Sequence, residues 1–476
     1  ILTPKEMLEG FSNKGMITVA LLFLVSEGIR QSGTLGQVIK KLLPQGKTTV
    51  FKAQLRILPS VAFISAFLNN TPVVVIFAPI IKHWAKSVNL PATKFLIPLS
   101  YVTILGGICT LIGTSTNLVV HGMILEAGFE GFSMFELGKV GIFIAIAGII
   151  YIFLFSKRLL PDARPDTAVP DEEIEEGEKF HRVEAVLGAR FPGINKKLKD
   201  FNFQRHYGAE VKEIKTRNGQ RFVSNLEEVV LHEGDTLVVM ADDTFIPTWG
   251  ESSVFVLLTN GNEPDTSGKK KRWFALLLLV LMIVGATVGE LPVTKEMFPD
   301  IKLDMFFFVS ITTIIMAWTN LFPARKYTKY ISWDILITIA CAFAISKAMV
   351  NSGVADSVAK FIIGLSDDYG PHVLLAMVFI ITNLFTELIT NNAAAALAFP
   401  LALSISAQLG VSPTPFFVVI CMAASASFST PIGYQTNLIV QGIGNYKFTD
   451  FVRIGLPLNI ITFLISIILI PLIWNF

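Results

Sequence analysis

Two short clusters of uncharged polar residues lie inside apolar stretches of the chain, where their amide and hydroxyl groups could bind ions. The clusters occupy residues 69–71 and 390–392, and a hydroxyl residue, Ser65 or Thr386, precedes each by four positions. Oxygen atoms of this kind are the ligands that hard cations prefer, while N–H groups at helix N-termini suit an anion. The clusters therefore predict a site for a small anion and a cation, and their members are Asn69, Asn70, Thr71, Thr390, Asn391 and Asn392.

A second motif follows each cluster at a similar distance. Residues 110–122 read TLIGTSTNLVVHG, residues 430–442 read TPIGYQTNLIVQG, and the two segments share a residue at eight positions. Glycine and small polar residues in the middle of an apolar helix favour local unwinding. We therefore expect an interrupted helix at each motif. The further candidates for substrate binding are Thr116, Asn117, Thr436 and Asn437.

The elements that must position these motifs are membrane-spanning helices. The chain has 476 residues, of which 52% are hydrophobic and 16% charged, and its mean hydropathy is +0.59. A soluble domain carries about 25% charged residues. A bilayer is crossed by about 20 helical residues, and the chain contains several apolar runs near that length, at 138–155, 273–289, 305–322, 333–350 and 452–475. The sequence thus predicts an α-helical polytopic membrane protein.

Other functional classes find little support in the residue types. The net charge of +2 argues against a nucleic-acid partner. The sequence shows no Ser-His-Asp set that would suggest an enzyme. The three cysteines, Cys109, Cys341 and Cys421, are far apart in apolar segments, so we interpret them as spectator thiols rather than metal ligands.

The membrane part is predicted to contain two copies of one unit, offset by about 320 residues. Beyond the motifs above, SEGIRQSGTL at 26–35 matches SKAMVNSGVA at 346–355, and the serine-glycine pairs coincide. The order of the matches is the same in both copies. One alternative is that the polar clusters only join helices through hydrogen bonds, but four clusters in two matched pairs argue against it.

The loop charges predict that the two copies have opposite orientations. The stretch 30–56 contains six basic residues and no acidic one, namely Arg30, Lys40, Lys41, Lys47, Lys52 and Arg56, whereas the matching stretch has Asp356, Asp367 and Asp368 against Lys360. Because basic loops stay in the cytoplasm, the first cluster would enter the membrane from inside and the second from outside. Inverted-topology repeats with re-entrant helical hairpins are typical of secondary transporters.

A polar segment separates the two copies. Its acidic run at 171–178 is interpreted as a solvated linker, AEVKEIKT and DTLVVMA predict strands, RNGQ predicts a hairpin turn and NKKLKDFNFQRH predicts a short helix. We divide the chain into a first transmembrane repeat at 1–160, a linker and small α+β domain at 161–268, and a second repeat at 269–476. The segments FNFQRHYGAEVKEI and LHEGDTLVVMAD resemble the C-terminal subdomain of potassium-conductance regulators (the RCK or TrkA C-terminal fold), with a core at about 180–245. Basic residues on both flanks predict that this domain is cytoplasmic.

The paired motifs SAFLNNTPVVVIFAP, GTSTNLVV, TNNAAAALAFP and TPIGYQTNLIV resemble the divalent-anion/sodium symporter family. That resemblance implies an anion held by both hairpin tips and two sodium ions. The implied sodium ligands are Ser65, Asn70 and Gly113 for one ion and Thr386, Asn391 and Gly433 for the other. The chain departs from the family pattern at Asn69, where the family has Ser, and at Asn392, where it has Thr. With an RCK-like insert, it is most similar to sulfate-type members.

The resemblance leaves three readings of the function. The first is a sodium-coupled importer of a small inorganic anion such as sulfate; the second is a dicarboxylate symporter, or an arsenite- or proton-exchange-type carrier, on the same scaffold. The third is a membrane-anchored sensor or channel. Glu387, next to Thr386, favours the second reading if it titrates or binds an ion during transport. For His121 we expect a hydrogen-bonding role, with a proton site as the alternative. Lys347 and Glu27 occupy matched positions before the serine-glycine pairs, where we expect a boundary or structural ion-pair role instead of substrate contact.

The family resemblance also implies an assembly. We expect a homodimer in a bacterial-type inner (plasma) membrane, with the inserted domain near the two-fold axis and open to a small-molecule or nucleotide regulator. Two apolar spans precede the second copy, whereas the first copy starts eleven residues into the chain. We therefore expect one or two further helices upstream of Ile1 in the natural protein, on the order of 25–60 residues.

Overall fold

The computed structural model describes most of the chain. The described residues are 2–162, 180–188, 190–216, 220–242, 245–249, 254–259, 269–298, 301–364 and 370–476. The acidic linker at 171–178, the centre of the predicted RNGQ turn at 217–219, and Asp367 and Asp368 lie outside these ranges.

The part of the chain before the linker is helical. Its helices are α1 Pro4–Glu9, α2 Lys14–Gln31, α3 Thr34–Leu42, α4 Val50–Ser65, α5 Asn70–Ser87, α6 Leu96–Gly107, α7 Ser115–Glu126 and α8 Gly138–Leu159. Side-chain caps fix where several of them begin. Asn13 accepts hydrogen bonds from the backbone at the start of α2, and Thr49 does the same for α4, which satisfies N–H groups that have no partner inside a helix.

The part after the insert is helical as well. Its helices are α11 Lys269–Gly289, α12 Pro292–Met297, α13 Met305–Trp318, α14 Tyr327–Tyr330, α15 Trp333–Asn351, α16 Val354–Gly364, α17 Gly370–Leu388, α18 Asn391–Leu409, α19 Thr414–Ser425, α20 Gln435–Gly444 and α21 Phe448–Ile473. The predicted span at 305–322 is shorter than expected, because α13 ends at Trp318, just before Asn320 adopts a left-handed conformation (φ 52°).

Within the described residues, six helical segments are long and apolar enough to cross a membrane. They are Pro4–Gln31, Gly138–Leu159, Lys269–Gly289, Gly370–Leu388, Asn391–Leu409 and Phe448–Ile473. Apolar side chains such as Phe143 on α8 and Leu464 on α21 are about half exposed, as expected of helices that face lipid. The prediction of an α-helical polytopic membrane protein is confirmed.

The order of helices α2 to α8 recurs in α15 to α21. Each series contains a long helix, a short helix, a helical hairpin and two helices separated by a non-helical break, followed by a long final helix. The matched serine-glycine pairs join the first two members of each series. Gly33 and Gly353 both have positive φ angles there (70° and 73°), a conformation that glycine adopts without strain.

The insert contains a five-stranded antiparallel sheet. Its strands are β1 Phe180–Leu187, β2 Glu210–Lys215, β3 Arg221–Phe222, β4 Thr236–Asp242 and β5 Phe255–Thr259, in the order β3-β2-β4-β1-β5, with short helices α9 Phe203–Tyr207 and α10 Phe245–Trp249. One face packs on an aromatic cluster that includes Phe191, Phe201, Phe203, Tyr207 and Phe255. The insert thus has a hydrophobic core of its own.

Candidate functional site

The first polar cluster lies in the turn between α4 and α5. Asn70, the first residue of α5, is fully buried, and its amide is satisfied when Nδ2 donates to Ser65 Oγ (2.8 Å) and to the carbonyl oxygens of Thr103 (3.1 Å) and Gly113 (3.2 Å). In that orientation Oδ1 accepts from the Tyr434 hydroxyl at 2.6 Å. Asn70 therefore joins the hairpin tip to the first helix break and to the second half of the protein.

The second cluster has the same local arrangement. Thr386 Oγ1 lies within hydrogen-bond distance of two groups, the Asn391 side chain at 2.9 Å and the carbonyl oxygen of Ala424 at 2.6 Å. The hydroxyl and the asparagine are five positions apart, as Ser65 and Asn70 are in the first hairpin. Thr390 caps α18 by accepting from the backbone of Ala393, which explains why the second hairpin turns at this residue.

The predicted interruptions are present between α6 and α7 and between α19 and α20. A buried asparagine holds each break together: Asn117 Nδ2 donates to the carbonyl oxygen of Thr110 (2.9 Å), and Asn437 Nδ2 donates to those of Thr430 (3.1 Å) and Ser427 (2.8 Å). These bonds satisfy carbonyl groups that lose their helical partners where the helix unwinds. Both asparagines thus support the breaks from within; their role in anion binding stays a prediction.

Glycine is required at both breaks. A Cβ atom on Gly113 would lie 2.5 Å from the carbonyl oxygen of Gly107, and one on Gly433 would lie 2.1 Å from Ser427 Oγ and 2.5 Å from the carbonyl oxygen of Thr386. These distances are far inside van der Waals contact. Gly113 therefore packs against the end of α6, and Gly433 packs against the second hairpin and its own break. Neither position leaves room for a side chain, and both glycines are ones that the family resemblance assigns to sodium sites.

Each hairpin tip contacts the break that belongs to the other half of the protein. Thr71 Oγ1 donates to Gln435 Oε1 at 3.2 Å. Asn392 Oδ1 accepts from Ser115 Oγ at 3.3 Å and from Thr116 Oγ1 at 3.2 Å. Thr71 and Asn392 are matched positions of the two clusters, and Ser115 and Gln435 are matched positions of the two breaks, so the contacts are reciprocal.

Tyr434 is a central residue that the sequence analysis did not single out. Its hydroxyl lies 2.6 Å from the Asn70 side chain and 3.2 Å from Thr114 Oγ1, and the residue is 9% exposed. The signal was present in the motif itself, since GYQTN carries a tyrosine where GTSTN carries a threonine. A phenol in this place can order the first tip through one hydrogen bond and the first break through another.

A cavity adjoins the first tip. Its polar lining residues are Ser26, Asn69 and Ser115, and its apolar walls include Leu279 and Met282 of α11. None of its lining residues is charged. Asn69 thus borders a small space, large enough for about one water molecule, that is lined by neutral polar and apolar groups.

Thr436, a candidate for substrate binding, contacts the first half of the protein instead of a hairpin tip. Thr436 Oγ1 lies 2.8 Å from Ser100 Oγ, to which it can donate, and Thr436 is fully buried. Ser100 also donates to Asn437 Oδ1 at 2.7 Å, so α6 of the first half packs on the start of α20. The structure therefore joins Thr71 to Gln435 and Asn392 to Ser115 and Thr116, as two separate contacts, whereas Thr436 contacts α6.

Glu387 lies at the back of the second tip. Its Oε1 accepts from the backbone N–H of Ser429 (2.9 Å) and from Asn459 Nδ2 (2.7 Å). Its other oxygen, Oε2, is buried and has no hydrogen-bond partner among the described residues. Glu27, by contrast, pairs with Arg30 at 2.6 Å on its own helix.

Polar hairpin tips and broken helices that meet inside a bundle of apolar helices define the class of this protein: it is a multi-pass membrane transporter. The described residues contain no group of three or more His, Cys, Asp or Glu side chains that could hold a metal ion. The oxygen groups at the tips are neutral, apart from the Glu387 carboxylate behind the second tip.

Comparison with known proteins gives the family. The family model of citrate transporters matches residues 1–406 and, in a second alignment, residues 301–475, so the chain belongs to the citrate transporter family. It is similar to an uncharacterized transporter of Synechocystis sp., with 30% identity over 100% of this chain and 91% of that protein. It is 23% identical to the probable sodium/sulfate cotransporter 3 of Chlamydomonas reinhardtii, over 97% of this chain and 82% of that protein. Sodium/sulfate cotransporter 2 of the same alga is 31% identical over 59% of this chain and 31% of that protein.

These relationships confirm the resemblance to divalent-anion/sodium symporters that the paired motifs predicted. The chain is a transporter rather than an enzyme, and relatives named for sodium and sulfate indicate a sodium-coupled anion transporter. Because the chain departs from the family pattern at Asn69 and Asn392, each tip carries an amide group. Asn69 lines the cavity, and Asn392 hydrogen-bonds to the first break.

Proposed function

We propose that the protein is a sodium-coupled symporter that imports a small divalent oxyanion, sulfate, by alternating access. The reciprocal contacts of the two tips with the opposite breaks carry this proposal. Contacts in which residue i of one copy touches j of the other, and j touches i, arise from two-fold symmetry. Together with the opposite loop charges, they support inverted repeats around one central site.

The substrate assignment rests on the names of relatives and on the chemistry of the tips. Two relatives are named sodium/sulfate cotransporters. The cavity beside Asn69 offers hydroxyl and amide groups and no positive side chain. A dianion in such a place needs accompanying cations, because its charge would otherwise stay uncompensated in a low-dielectric interior.

We assign the coupling ions to two matched places, one behind each tip. Ser65, Asn70 and Gly113 would hold one sodium ion, and their matched counterparts Thr386, Asn391 and Gly433 would hold the other. In each set a hydroxyl group and an asparagine side chain are already hydrogen-bonded to each other, at 2.8 and 2.9 Å. Hydroxyl, amide and carbonyl oxygens form the hard donor set that suits such ions. At the first site, sodium binding would require the Asn70 amide to turn Oδ1 from Tyr434 towards Ser65 and Gly113.

The topology and assembly belong to the same proposal. The basic loops of the first copy favour a cytoplasmic insert and opposite orientations of the hairpins. A homodimer and a small-molecule or nucleotide regulator of the insert rest on the resemblance to symporters and to RCK domains. Chemical cross-linking of the protein in mild detergent tests the dimer; only monomers would exclude it.

Radiolabelled sulfate uptake into proteoliposomes, with and without an inward sodium gradient, tests the function. We expect accumulation only with the gradient, and competition by unlabelled sulfate but not by citrate at equal concentration. Gradient-driven citrate uptake without sulfate uptake would show a dicarboxylate symporter instead.

A second candidate, a proton-exchange carrier on the same scaffold, is favoured by one observation: the buried Glu387 Oε2 has no hydrogen-bond partner among the described residues. An acidic group at membrane depth is a frequent proton site. Uptake driven by a pH gradient in sodium-free buffer would identify this carrier, and the absence of such uptake would leave the sodium symporter.

A further inference from the structure

A cluster of polar side chains lies behind the second hairpin tip, where the end of α17, the second break and α21 meet. Asn459 Nδ2 donates to Glu387 Oε1 at 2.7 Å and to Ser429 Oγ at 2.8 Å. The backbone N–H of Ser429 donates to the same carboxylate oxygen at 2.9 Å. Three elements therefore contribute one residue each, and we call Glu387, Ser429 and Asn459 the rear cluster.

Two oxygen atoms of the rear cluster have no hydrogen-bond partner among the described residues. They are Glu387 Oε2 and Asn459 Oδ1, and the residues that carry them are 9% and 7% exposed. A carboxylate oxygen and an amide oxygen can only accept, and the Asn459 Nδ2 group is already bonded to Glu387 and Ser429. Because an unsatisfied buried acceptor is costly, the two oxygens favour a bound group that is electropositive.

The negative charge of Glu387 also has no counter-charge. In the part of the chain that the structure describes, no lysine, arginine or histidine forms an ion pair with it. An isolated carboxylate in a low-dielectric interior is costly unless a cation accompanies it. A divalent anion and two sodium ions at the tips are neutral together, so they leave this charge uncompensated, and one more monovalent cation balances it.

The first half of the protein has small or apolar side chains at the matched positions. Ala66 stands where the second half has Glu387, Cys109 where it has Ser429, and Ala145 where it has Asn459. The first two matches follow from the hairpin and break motifs. The same junction of hairpin, break and final helix thus forms without the polar cluster, so packing alone does not account for it.

The third match follows from the packing of the final helices, α8 and α21. A Cβ atom at Gly141 of α8 would meet the carbonyl oxygen of Ile108. One at Gly455 of α21 would meet the carbonyl oxygen of Phe428, which is matched to Ile108. The two helices therefore pack on their breaks in the same register. Both members of the third match lie four residues beyond these glycines, and both are buried.

We propose that the rear cluster is a third cation site, in which Glu387 Oε2 and Asn459 Oδ1 bind a sodium ion in addition to the two assigned to the matched tips. Carboxylate and amide oxygens are hard donors that suit such an ion. The choice of sodium rests on the proposed sodium-coupled transport. The site adjoins the second tip directly, because Glu387 follows Thr386 in α17 and its carbonyl oxygen accepts from Thr430 Oγ1 at 3.0 Å.

Sodium binding by the purified full chain tests the site without any transported anion. The number of ions bound at saturation is counted with radiolabelled sodium, and we expect Glu387→Gln to bind one ion fewer than the wild type. The glutamine oxygen can still accept from Ser429 and Asn459, so the variant loses the charge and keeps the hydrogen bonds. A protonated Glu387 predicts the opposite result, because its neutral isostere would bind as many sodium ions as the wild type.

The double variant Glu387→Ala with Asn459→Ala tests the two oxygens together. It gives the second half the alanine pair that the first half has at the matched positions, so the junction of the helices should still form. We expect the same loss of one sodium ion, with a cooperative melting transition retained on the same preparation.

Thr462→Ala is the matched control. Thr462 is buried on α21 close to Asn459, but its hydroxyl donates to the carbonyl oxygen of Leu458 on the same helix, at 3.0 Å, so this variant should bind as many sodium ions as the wild type. Equal counts in the wild type, Glu387→Gln and the double variant would overturn the site, as would an equal loss in Thr462→Ala. An error in the two tip sites or in the anion lowers the total count or the sulfate uptake but leaves the one-ion difference, so a failure of the proposed function remains distinguishable.

Discussion

The side-chain hydroxyls of Thr114 and Tyr434 lie 3.2 Å apart, although the residues are separated by 320 positions in the chain. They occupy the same place in the motifs GTSTN and GYQTN. Matched residues of two copies related by a two-fold axis touch each other only close to that axis. This hydrogen bond therefore indicates where the centre of the proposed symmetric site lies, between the Asn70 amide and the first break.

Tyr434→Phe should weaken ion coupling while the fold is retained. The change removes the hydroxyl that lies 2.6 Å from the Asn70 side chain and 3.2 Å from Thr114, so the first tip and the first break lose a shared hydrogen bond. A lost bond of about 1–2 kcal/mol corresponds to a roughly tenfold rise in the sodium concentration at half-maximal uptake, measured in proteoliposomes.

The matched control is Tyr446→Phe. Tyr446 is also buried, and its hydroxyl bonds to the backbone of Thr93 and Ile97, away from the tips. We expect that variant to lower the melting temperature without changing the sodium dependence. Equal sodium dependence in both variants would show that the Tyr434 hydroxyl has only a packing role.

Asn70→Ala and Asn391→Ala should each abolish sodium-driven uptake. Each asparagine bonds to the hydroxyl at the end of the preceding helix, Ser65 or Thr386, and truncation removes this bond. At Asn70 it also leaves the carbonyl oxygens of Thr103 and Gly113 without the amide donor. Uptake and melting temperature should be measured on the same preparations. Normal transport by either variant would remove that tip from the mechanism.

Much of this site was predictable from the sequence because the motifs occur twice. The paired clusters, the glycine at each break and the helix-breaking serine-glycine pairs all follow local rules that residue type reveals. The reciprocal contacts between Thr71 and Gln435 and between Asn392 and Ser115 do not, since they join positions 364 and 277 residues apart. Tertiary packing decides such pairs.

In the inserted domain, too, the sequence predicts some features and leaves others to tertiary packing. The turn-and-strand pattern predicted β2 and β4, but β5 at Phe255–Thr259 was not predicted because its residues alternate weakly and follow a short helix. The helix predicted for NKKLKDFNFQRH forms only over Phe203–Tyr207. The docking of β1 on α5 depends on Lys82 meeting a strand 102 positions away, and no local pattern specifies that partner.

Gly433→Ala should disable transport and lower stability. The added methyl group would lie 2.1 Å from Ser427 Oγ and 2.5 Å from the carbonyl oxygen of Thr386, so the second break must move away from its hairpin. Overpacking of this kind costs about 1–3 kcal/mol, visible as a lower melting temperature. Gly364→Ala, whose Cβ would meet no atom of the described residues within 4 Å outside its own helix backbone, is the control and should behave as wild type.

Glu387→Gln distinguishes a structural carboxylate from an ion-coupling one. A glutamine can still accept from the backbone of Ser429 and from Asn459 through its one oxygen, so the packing of the second break should persist. In a sodium symporter that does not use this carboxylate, we expect uptake within about twofold of wild type. A loss of pH-driven uptake, with the protein still folded, would instead support the proton-exchange carrier.

Acidification should weaken the inserted domain, and its contact with Lys82 of α5, through Glu184. Burial alone would raise the pKa of this carboxyl, but Lys82, Lys215 and Arg182 outweigh it and lower the pKa from 4.5 to about 2. A group whose pKa is lower in the folded state stabilises that state fully above its unfolded pKa. The stabilisation is therefore complete above about pH 4.5 and is lost as the pH falls toward about 2. Glu184→Gln should remove this part of the pH dependence, as measured by the melting temperature of the full chain between about pH 6 and about pH 3.

Glu228→Gln is the matched control: hydrogen bonds from Lys197 and Lys199 lower the pKa of Glu228 to about 2 as well, but this pair is on the surface, where water screens the interaction. If Glu228→Gln flattened the pH dependence as much as Glu184→Gln, the buried contact with Lys82 would not be the source of the acid sensitivity.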